Sequence, residues 1–189
     1  MHKNIISFIF VIELALLLFL PATALAKEAN ISDVIVTNTE ENLLAYFRVQ
    51  DCFTEKMEEA ILAGIPTTFT ITMELFRNRN WWTDKREAVV ELKHTIKYDA
   101  VKKIFFVVSN STNIKPEQFK SFEKAKIAMS DVNGVIITPL TSLKKDENYY
   151  LRIKAELDKV RLPLHLEYVF FFVSLWNFET DWMQQDFVY

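Results

Sequence analysis

The chain has 189 residues, a net charge of −3 at neutral pH, one cysteine and only two glycines. The weak negative charge gives no electrostatic argument for nucleic-acid binding, because proteins that bind nucleic acids usually carry a basic face. Phosphate-binding loops need several glycines at fixed offsets, so P-loop and dinucleotide-binding motifs are absent from the sequence.

The first 26 residues have the pattern of a secretory signal peptide. Lys3 supplies a positive charge, residues 5–20 are mainly apolar, and residues 24–26 form a small-x-small cleavage pattern. The alternative is an uncleaved membrane anchor, but the segment is short for a spanning helix and carries Glu13. We therefore expect export to the periplasm or cell envelope of a bacterium, with a single domain over residues 27–189.

The first part of the mature chain predicts two short strands followed by a helix. Residues 31–37 and 43–49 are β-like runs separated by a polar turn. Thr54 is suited to cap the start of a helix, and Gly64 is suited to end it. One apolar stripe recurs at helical spacing and contains Phe53, Met57, Ala60 and Ile61.

The central stretch, residues 66–98, predicts a long β-hairpin with a polar tip that bears two tryptophans. Apolar and polar residues alternate over 67–75 and again over 90–98, with His94 on the apolar side. This alternation is typical of strands with one buried face.

Charge favours one register for this hairpin. Glu74 opposite Glu91 would be repulsive, since like charges directly across a strand pair are destabilising. A shift of two residues places Glu74 opposite Lys93 and Thr72 opposite Thr95, and this is the register that we predict.

The following segments predict a strand, a second helix and another strand. Residues 104–108 form a compact apolar run, and Pro116 suits the first turn of a helix that continues to about Met129. Residues 131–134 are expected to turn the chain into a strand that Pro139 ends. Three lysines are expected on the solvated side of the helix: Lys120, Lys124 and Lys126.

The last third predicts further strands. Leu143, a charged turn and Tyr149 at the start of an alternating strand have the spacing of a tyrosine corner, in which the hydroxyl bonds the backbone a few residues upstream. Residues 164–175 indicate a strand covered on both faces, and residues 182–189 a final strand. The predicted fold is mostly β (α+β): an antiparallel immunoglobulin-like β-sandwich with two packing helices.

A resemblance to a known family covers nearly the whole mature chain. It is carried by Gly64-Ile65-Pro66 with the long strand after it, Trp81-Trp82 with Asp84-Lys85, Tyr98, Leu143 with Tyr149, and Trp176-Asn177 with Asp181-Trp182. These motifs resemble the bacterial domain-of-unknown-function family 4390, whose members are short and exported. The chain departs from the family pattern at Asp99 and Ala100 and in the glycine-free turn before Tyr149. The resemblance implies no activity, cofactor or catalytic residue.

The sequence contains no recognisable catalytic or metal-binding motif. His94 and His165 lie among apolar residues without a Cys or His at metal-ligand spacing, so we expect histidines satisfied within or beside the core. Cys52 cannot form a disulfide within the chain, and we expect a buried small hydrophobic side chain or, as the alternative, a free thiol. No nucleophile elbow occurs. A carboxylate pair of the glycosidase kind is defined by a distance in space, so the sequence alone does not identify one. We expect no enzyme, cofactor or metal.

The four tryptophans are the best candidates for a functional surface, because all lie in two short loops with polar neighbours. One hypothesis is a shared aromatic surface that binds a partner or ligand. The alternative is that the indoles pack onto the ends of the sandwich, with Asp181 capping a turn. The candidate surface comprises Trp81, Trp82, Asp84, Lys85, Trp176, Asn177, Asp181 and Trp182.

These observations favour an exported envelope protein that acts as a non-catalytic binding or interaction domain. Its partner would be a protein or another envelope component. The alternatives are a membrane-tethered accessory subunit of an envelope complex and, third, an envelope hydrolase.

Overall fold

The computed structural model describes residues 28–79, 81–110, 115–158 and 179–189. The predicted signal segment and the apolar run 164–175 lie outside the described residues. The elements are β1 (Asn30–Asn38), β2 (Asn42–Gln50), α1 (Glu55–Leu62), β3 (Thr67–Arg77), β4 (Lys85–Asp99), β5 (Ile104–Ser109), β6 (Glu117–Phe119), α2 (Phe122–Ser130), β7 (Asp131–Pro139), β8 (Asn148–Leu157) and β9 (Met183–Val188). In the described ranges these strands form two antiparallel sheets with the orders β1-β2-β7 and β6-β5-β4-β3-β8-β9.

Strand β3 lies at the centre of the larger sheet, between β4 and β8. As the alternation over residues 67–75 predicts, the apolar side chains on one face of β3 are fully buried, and residues from both sheets join them in one hydrophobic core. The prediction of a mostly β fold with two helices is confirmed. The fully buried residues of β3 on this face are Phe69, Ile71, Met73 and Leu75.

The predicted register of the β3–β4 hairpin is wrong by four residues. Glu74 faces Val89 rather than Lys93, and Thr72 faces Glu91. The repulsive Glu74–Glu91 pairing is avoided. In addition, a β-bulge after Leu75 lets Arg86 donate a hydrogen bond of 3.0 Å to Glu74. The predicted register would have left Ala88 and Val89 unpaired in a longer loop, which is less favourable than closing the shorter one.

Helix α1 forms as the sequence predicts. The Thr54 hydroxyl accepts a hydrogen bond from the Met57 N–H, and the chain leaves the helix through Gly64, which has a φ of +87°. Met57, Ala60 and Ile61 are buried. The helix therefore packs its predicted apolar stripe against the core.

Helix α2 starts later than predicted. Residues 117–119 form strand β6, in which Phe119 pairs with Phe105, and the helix begins only at Phe122. The Ser121 side chain accepts from the Lys124 N–H at the helix start. Pro116 was the wrong start signal, because the β6 pairing holds the chain extended as far as the Ser121 cap.

The prediction that Lys126 lies on the solvated side of α2 is also wrong. Its ammonium group lies 2.7 Å from a Glu58 carboxylate oxygen on α1 and 2.8 Å from Glu123, and its side chain is largely buried. The side chain also lies over the Phe122 ring. Lys126 therefore links the two helices.

Strand β7 begins directly at Asp131, so the predicted turn over residues 131–134 does not form. Instead the pairing with β2 shifts between Val132 and Val135, which forms an irregularity around Gly134. Gly134 has a φ of +70°, and a Cβ there would lie 3.1 Å from the Tyr46 hydroxyl oxygen. Tyr46 thus occupies the space over the glycine.

A Gly134→Ala variant should be less stable than Gly64→Ala. Both substitutions force a side chain into positive φ, which costs roughly 1–2 kcal/mol per residue. Only Gly134→Ala adds a close contact, because the nearest atom to a Cβ at Gly64 is 3.7 Å away. Urea unfolding of both variants checks this, and equal losses would show that the Tyr46 contact costs nothing.

Tyr149 makes the predicted backbone hydrogen bond. Its hydroxyl oxygen accepts from the Lys144 N–H at 2.8 Å, and the residue is 2% exposed. The predicted final strand is also confirmed as β9, which pairs with β8. Among the described residues, no helix has both the length and the apolar character needed to cross a membrane.

Candidate functional site

The tip of the β3–β4 hairpin exposes two adjacent tryptophans. Trp81 is 92% exposed and Trp82 is 79% exposed. The alternative, in which the indoles pack onto the end of the sandwich, does not hold for these two residues. Tryptophan is highly buried on average, and adjacent exposed apolar side chains often mark an interaction site.

The backbone around these tryptophans is held in place by Asp84. One oxygen of its carboxylate accepts from the Arg79 N–H at 3.1 Å, and the other accepts from the Tyr150 hydroxyl at 2.8 Å. The Asn78 N–H also donates to the Asn148 carbonyl at 2.9 Å. The tip is therefore fastened to the start of β8 although its indoles face solvent.

Lys85 has a local structural partner. Its ammonium group lies 2.6 Å from Glu87, which also accepts from Arg77 at 3.0 Å. Burial raises the pKa of Glu87, but Lys85 and Arg77 outweigh it, so the net shift is downward. Lys85 is half-exposed and remains at the edge of the tip.

Trp182 lies elsewhere on the larger sheet. Its ring packs against the Arg152 guanidinium at 4.5 Å and the Lys154 ammonium at 5.7 Å, and 38% of the residue is exposed. Cation–π contacts of this kind stabilise an aromatic ring that is only partly buried. This tryptophan therefore has a packing role.

The structure does not bring Trp182 to the hairpin tip. The tip follows Arg77, which pairs with Tyr149, whereas Trp182 precedes Met183, which pairs with Ile153. Tyr149 and Ile153 are four residues apart on β8, which corresponds to about 13 Å at the rise of a strand. A row of side chains connects them: Arg152 contacts Phe76, Phe76 stacks on Tyr150, and Tyr150 bonds Asp84.

The second predicted loop is described only in part. Trp176 and Asn177 lie outside the described residues, and Asp181 is exposed. Thr180, rather than Asp181, fastens this segment, because its N–H donates to the Ala155 carbonyl and its hydroxyl accepts from the Ala155 N–H. The candidate surface thus reduces to Trp81, Trp82, Asp84 and Lys85 among the described residues.

His94 is a core histidine, as predicted, whereas His165 lies outside the described residues. His94 is 6% exposed, and its Nδ1 lies 2.9 Å from the Met129 carbonyl oxygen. Because a carbonyl only accepts, Nδ1 carries the proton. Burial lowers the pKa of His94, since a charged imidazolium would lose its hydration, and the Met129 carbonyl and Glu117 oppose this more weakly.

This shift predicts a loss of stability in mild acid. Unfolded His94 has an ordinary pKa of about 6.5, so below that pH the unfolded state binds more protons than the folded state. The free energy of unfolding should fall as pH drops from about 6.5 towards the lower folded pKa, by at most about 1.4 kcal/mol per pH unit for one proton. Urea unfolding across this range should show a shallower decline for His94→Gln. Parallel declines would contradict the assignment.

Cys52 is a buried small side chain, as predicted. It is 3% exposed, and its thiol donates to the Val49 carbonyl. Burial raises the pKa of the Cys52 thiol to about 12. Since the thiolate is the reactive form, this cysteine is a poor nucleophile at neutral pH.

A cleft of about 800 Å³, which the sequence analysis missed, lies between the larger sheet, α2 and β7. Its walls come from five successive elements and form only when these elements pack together, so no local pattern marks it. No group of three or more metal-ligating side chains occurs in the described part of the chain. The apolar residues of the cleft include Val90, Leu92, Val107, Phe119, Ile127 and Val135.

The fold defines a mostly β protein with two antiparallel sheets, two helices and an exposed aromatic hairpin tip. A family model for a domain of unknown function, DUF4390, matches residues 26–186. The chain belongs to the DUF4390 family, which confirms the resemblance found in its motifs. Comparison with curated proteins gave no match, and neither did comparison with solved structures.

Proposed function

We propose that this protein is an exported component of a bacterial cell envelope and acts as a non-catalytic binding domain. Trp81 and Trp82 contact a protein partner. The observation that carries this proposal is the 92% and 79% exposure of two adjacent tryptophans on one tip. Tryptophan is enriched at the energetic centres of protein interfaces, because it combines a large apolar area with one hydrogen-bond donor.

The fastening of the tip supports the same function. Asp84 bonds both the tip backbone and Tyr150, so the indoles are presented on a preformed loop. A preformed binding loop loses less conformational entropy on association, which raises affinity. The tip therefore suits binding better than a loop that must order first.

We also propose that residues 1–26 are a cleaved signal peptide and that residues 27–189 form one immunoglobulin-like sandwich. The Tyr149 hydrogen bond to the Lys144 N–H supports this architecture, because immunoglobulin-like sandwiches use a tyrosine in the same way.

Co-purification from the envelope of the native bacterium tests the proposal. A specific partner should accompany the wild type and be lost with Trp81→Ala/Trp82→Ala. Trp182→Ala is the matched control, since it removes a tryptophan away from the tip, and it should retain the partner. If the folded double variant still carries the partner, the tip is not the contact surface.

A further inference from the structure

The cleft beside β7 has an open strand edge as one wall. Six consecutive residues of β7, from Asp131 to Ile136, line it. Successive side chains of a strand point to opposite faces, so consecutive residues line one space only when the edge of the strand faces that space. In the described part of the chain β7 pairs with β2 alone, so the N–H and C=O groups of its other edge lack a strand partner.

This edge is only partly protected against further pairing. Edge strands are usually blocked by lysine, proline, bulges or inward charges. The β7 edge has the irregularity at Gly134, but residues 132–138 contain no charged side chain and no proline. Ile136 is 54% exposed beside the cleft.

The opposite wall carries a hydrogen-bond acceptor. His94 lines the cleft at 6% exposure, and its Nδ1–H is used by the Met129 carbonyl. Its Nε2 therefore presents a lone pair, for which no partner is found among the described residues. An occupant of the cleft that brings an N–H or O–H donor to this point forms a hydrogen bond with it.

We propose that this cleft binds an extended polypeptide segment of a partner protein, which pairs with the open edge of β7. Such a segment supplies the N–H and C=O groups that the edge requires, and its alternate side chains fit the apolar walls at Leu92 and Val107. One N–H or O–H of the segment donates to His94 Nε2. An acyl chain would leave both polar features unsatisfied, so a lipid fits less well.

The charged residues that line the cleft restrict the kind of peptide that fits it. Charged residues of both signs line the cleft, with carboxylates at Glu91, Glu117 and Asp131 and ammonium groups at Lys115 and Lys124. Because these charges nearly cancel, the cleft favours a segment of low net charge. This binding site is separate from the tryptophan tip.

Peptides selected from a phage-displayed random library on the purified protein test this inference. Synthetic versions should bind the wild type, and methylation of alternate backbone nitrogens should weaken binding at least ~10-fold by removing ladder hydrogen bonds. Ile136→Lys should weaken binding similarly, whereas Ile35→Lys, on the opposite edge strand of the same sheet, should not. The ¹⁵N resonance of His94 Nε2 should shift on peptide addition.

Four results would overturn the inference. The first three are equal binding of N-methylated and parent peptides, equal weakening by Ile35→Lys and Ile136→Lys, and displacement of the peptides by dodecanoate. The fourth is loss of peptide binding only in Trp81→Ala/Trp82→Ala, which would place the peptide at the tip. If Ile136→Lys instead dissociates a dimer of this chain, the occupant is a second copy.

Discussion

Ile71→Ala is expected to lower the free energy of unfolding by about 2–5 kcal/mol, the usual range for such a truncation in a tightly packed core. Ile71 is fully buried in the central strand, with Leu92 beside it on β4 and Ala155 on β8. Because both neighbours belong to the same sheet ladder, neither strand can move inward to fill the cavity without breaking its pairing. Urea unfolding monitored by circular dichroism measures the loss.

Ile35→Ala is the matched control for this prediction. It removes the same atoms from a strand residue that is 59% exposed. We expect a loss below ~1 kcal/mol, because little transfer free energy and no cavity are involved. Equal losses in the two variants would contradict the placement of β3 at the centre of the core.

The second large effect concerns binding by the hairpin tip. Each of Trp81→Ala and Trp82→Ala should weaken partner binding by ~30-fold or more, which corresponds to the 2 kcal/mol threshold of an interface hot spot. Neither should change the unfolding free energy by more than about 0.5 kcal/mol, because exposed side chains away from caps and ion pairs contribute little to stability. Calorimetric titration with the isolated partner and urea unfolding measure the two quantities.

A loss of binding without a loss of stability distinguishes an interaction role of the two tryptophans from a structural one. A double variant that unfolds would make the tryptophans structural, in conflict with their exposure. A double variant that folds and binds normally would assign the partner to another surface. Trp182→Ala should show the opposite behaviour, with a small loss of stability from its Arg152 contact and unchanged binding.

The sequence predicted those features that depend on local patterns. Alternation over 67–75 gave the buried face of β3, the Thr54 cap gave the start of α1, and the Tyr149 spacing gave its backbone bond. In each case the physical cause lies within a few residues. Such signals survive folding because tertiary contacts reinforce them.

The errors have tertiary causes. The β3–β4 register is four residues from the prediction because the observed pairing closes a shorter loop, and a bulge after Leu75 brings Arg86 rather than Lys93 to Glu74. The start of α2 moved because β6 pairs with β5 before Ser121 caps the helix. Neither the bulge nor the short strand has a sequence signal as strong as the charge pair or the proline that suggested otherwise.

The candidate site was predicted in part. The presence of tryptophans at the hairpin tip followed from the sequence, but the fastening of the tip did not, because the Asp84 bond to Tyr150 joins residues 66 positions apart. The cleft was not predicted, since its walls assemble from β4, β5, β6, α2 and β7. A site made by the packing of several elements appears only when the topology is known.

Photo-crosslinking in the native organism tests whether the hairpin tip contacts a partner. A benzoylphenylalanine residue in place of Trp81 should form a specific cross-link to one protein. The same residue in place of Val101, which is 94% exposed in the turn between β4 and β5, should form none. Cross-links from both positions, or from position 101 alone, would contradict binding through the tip.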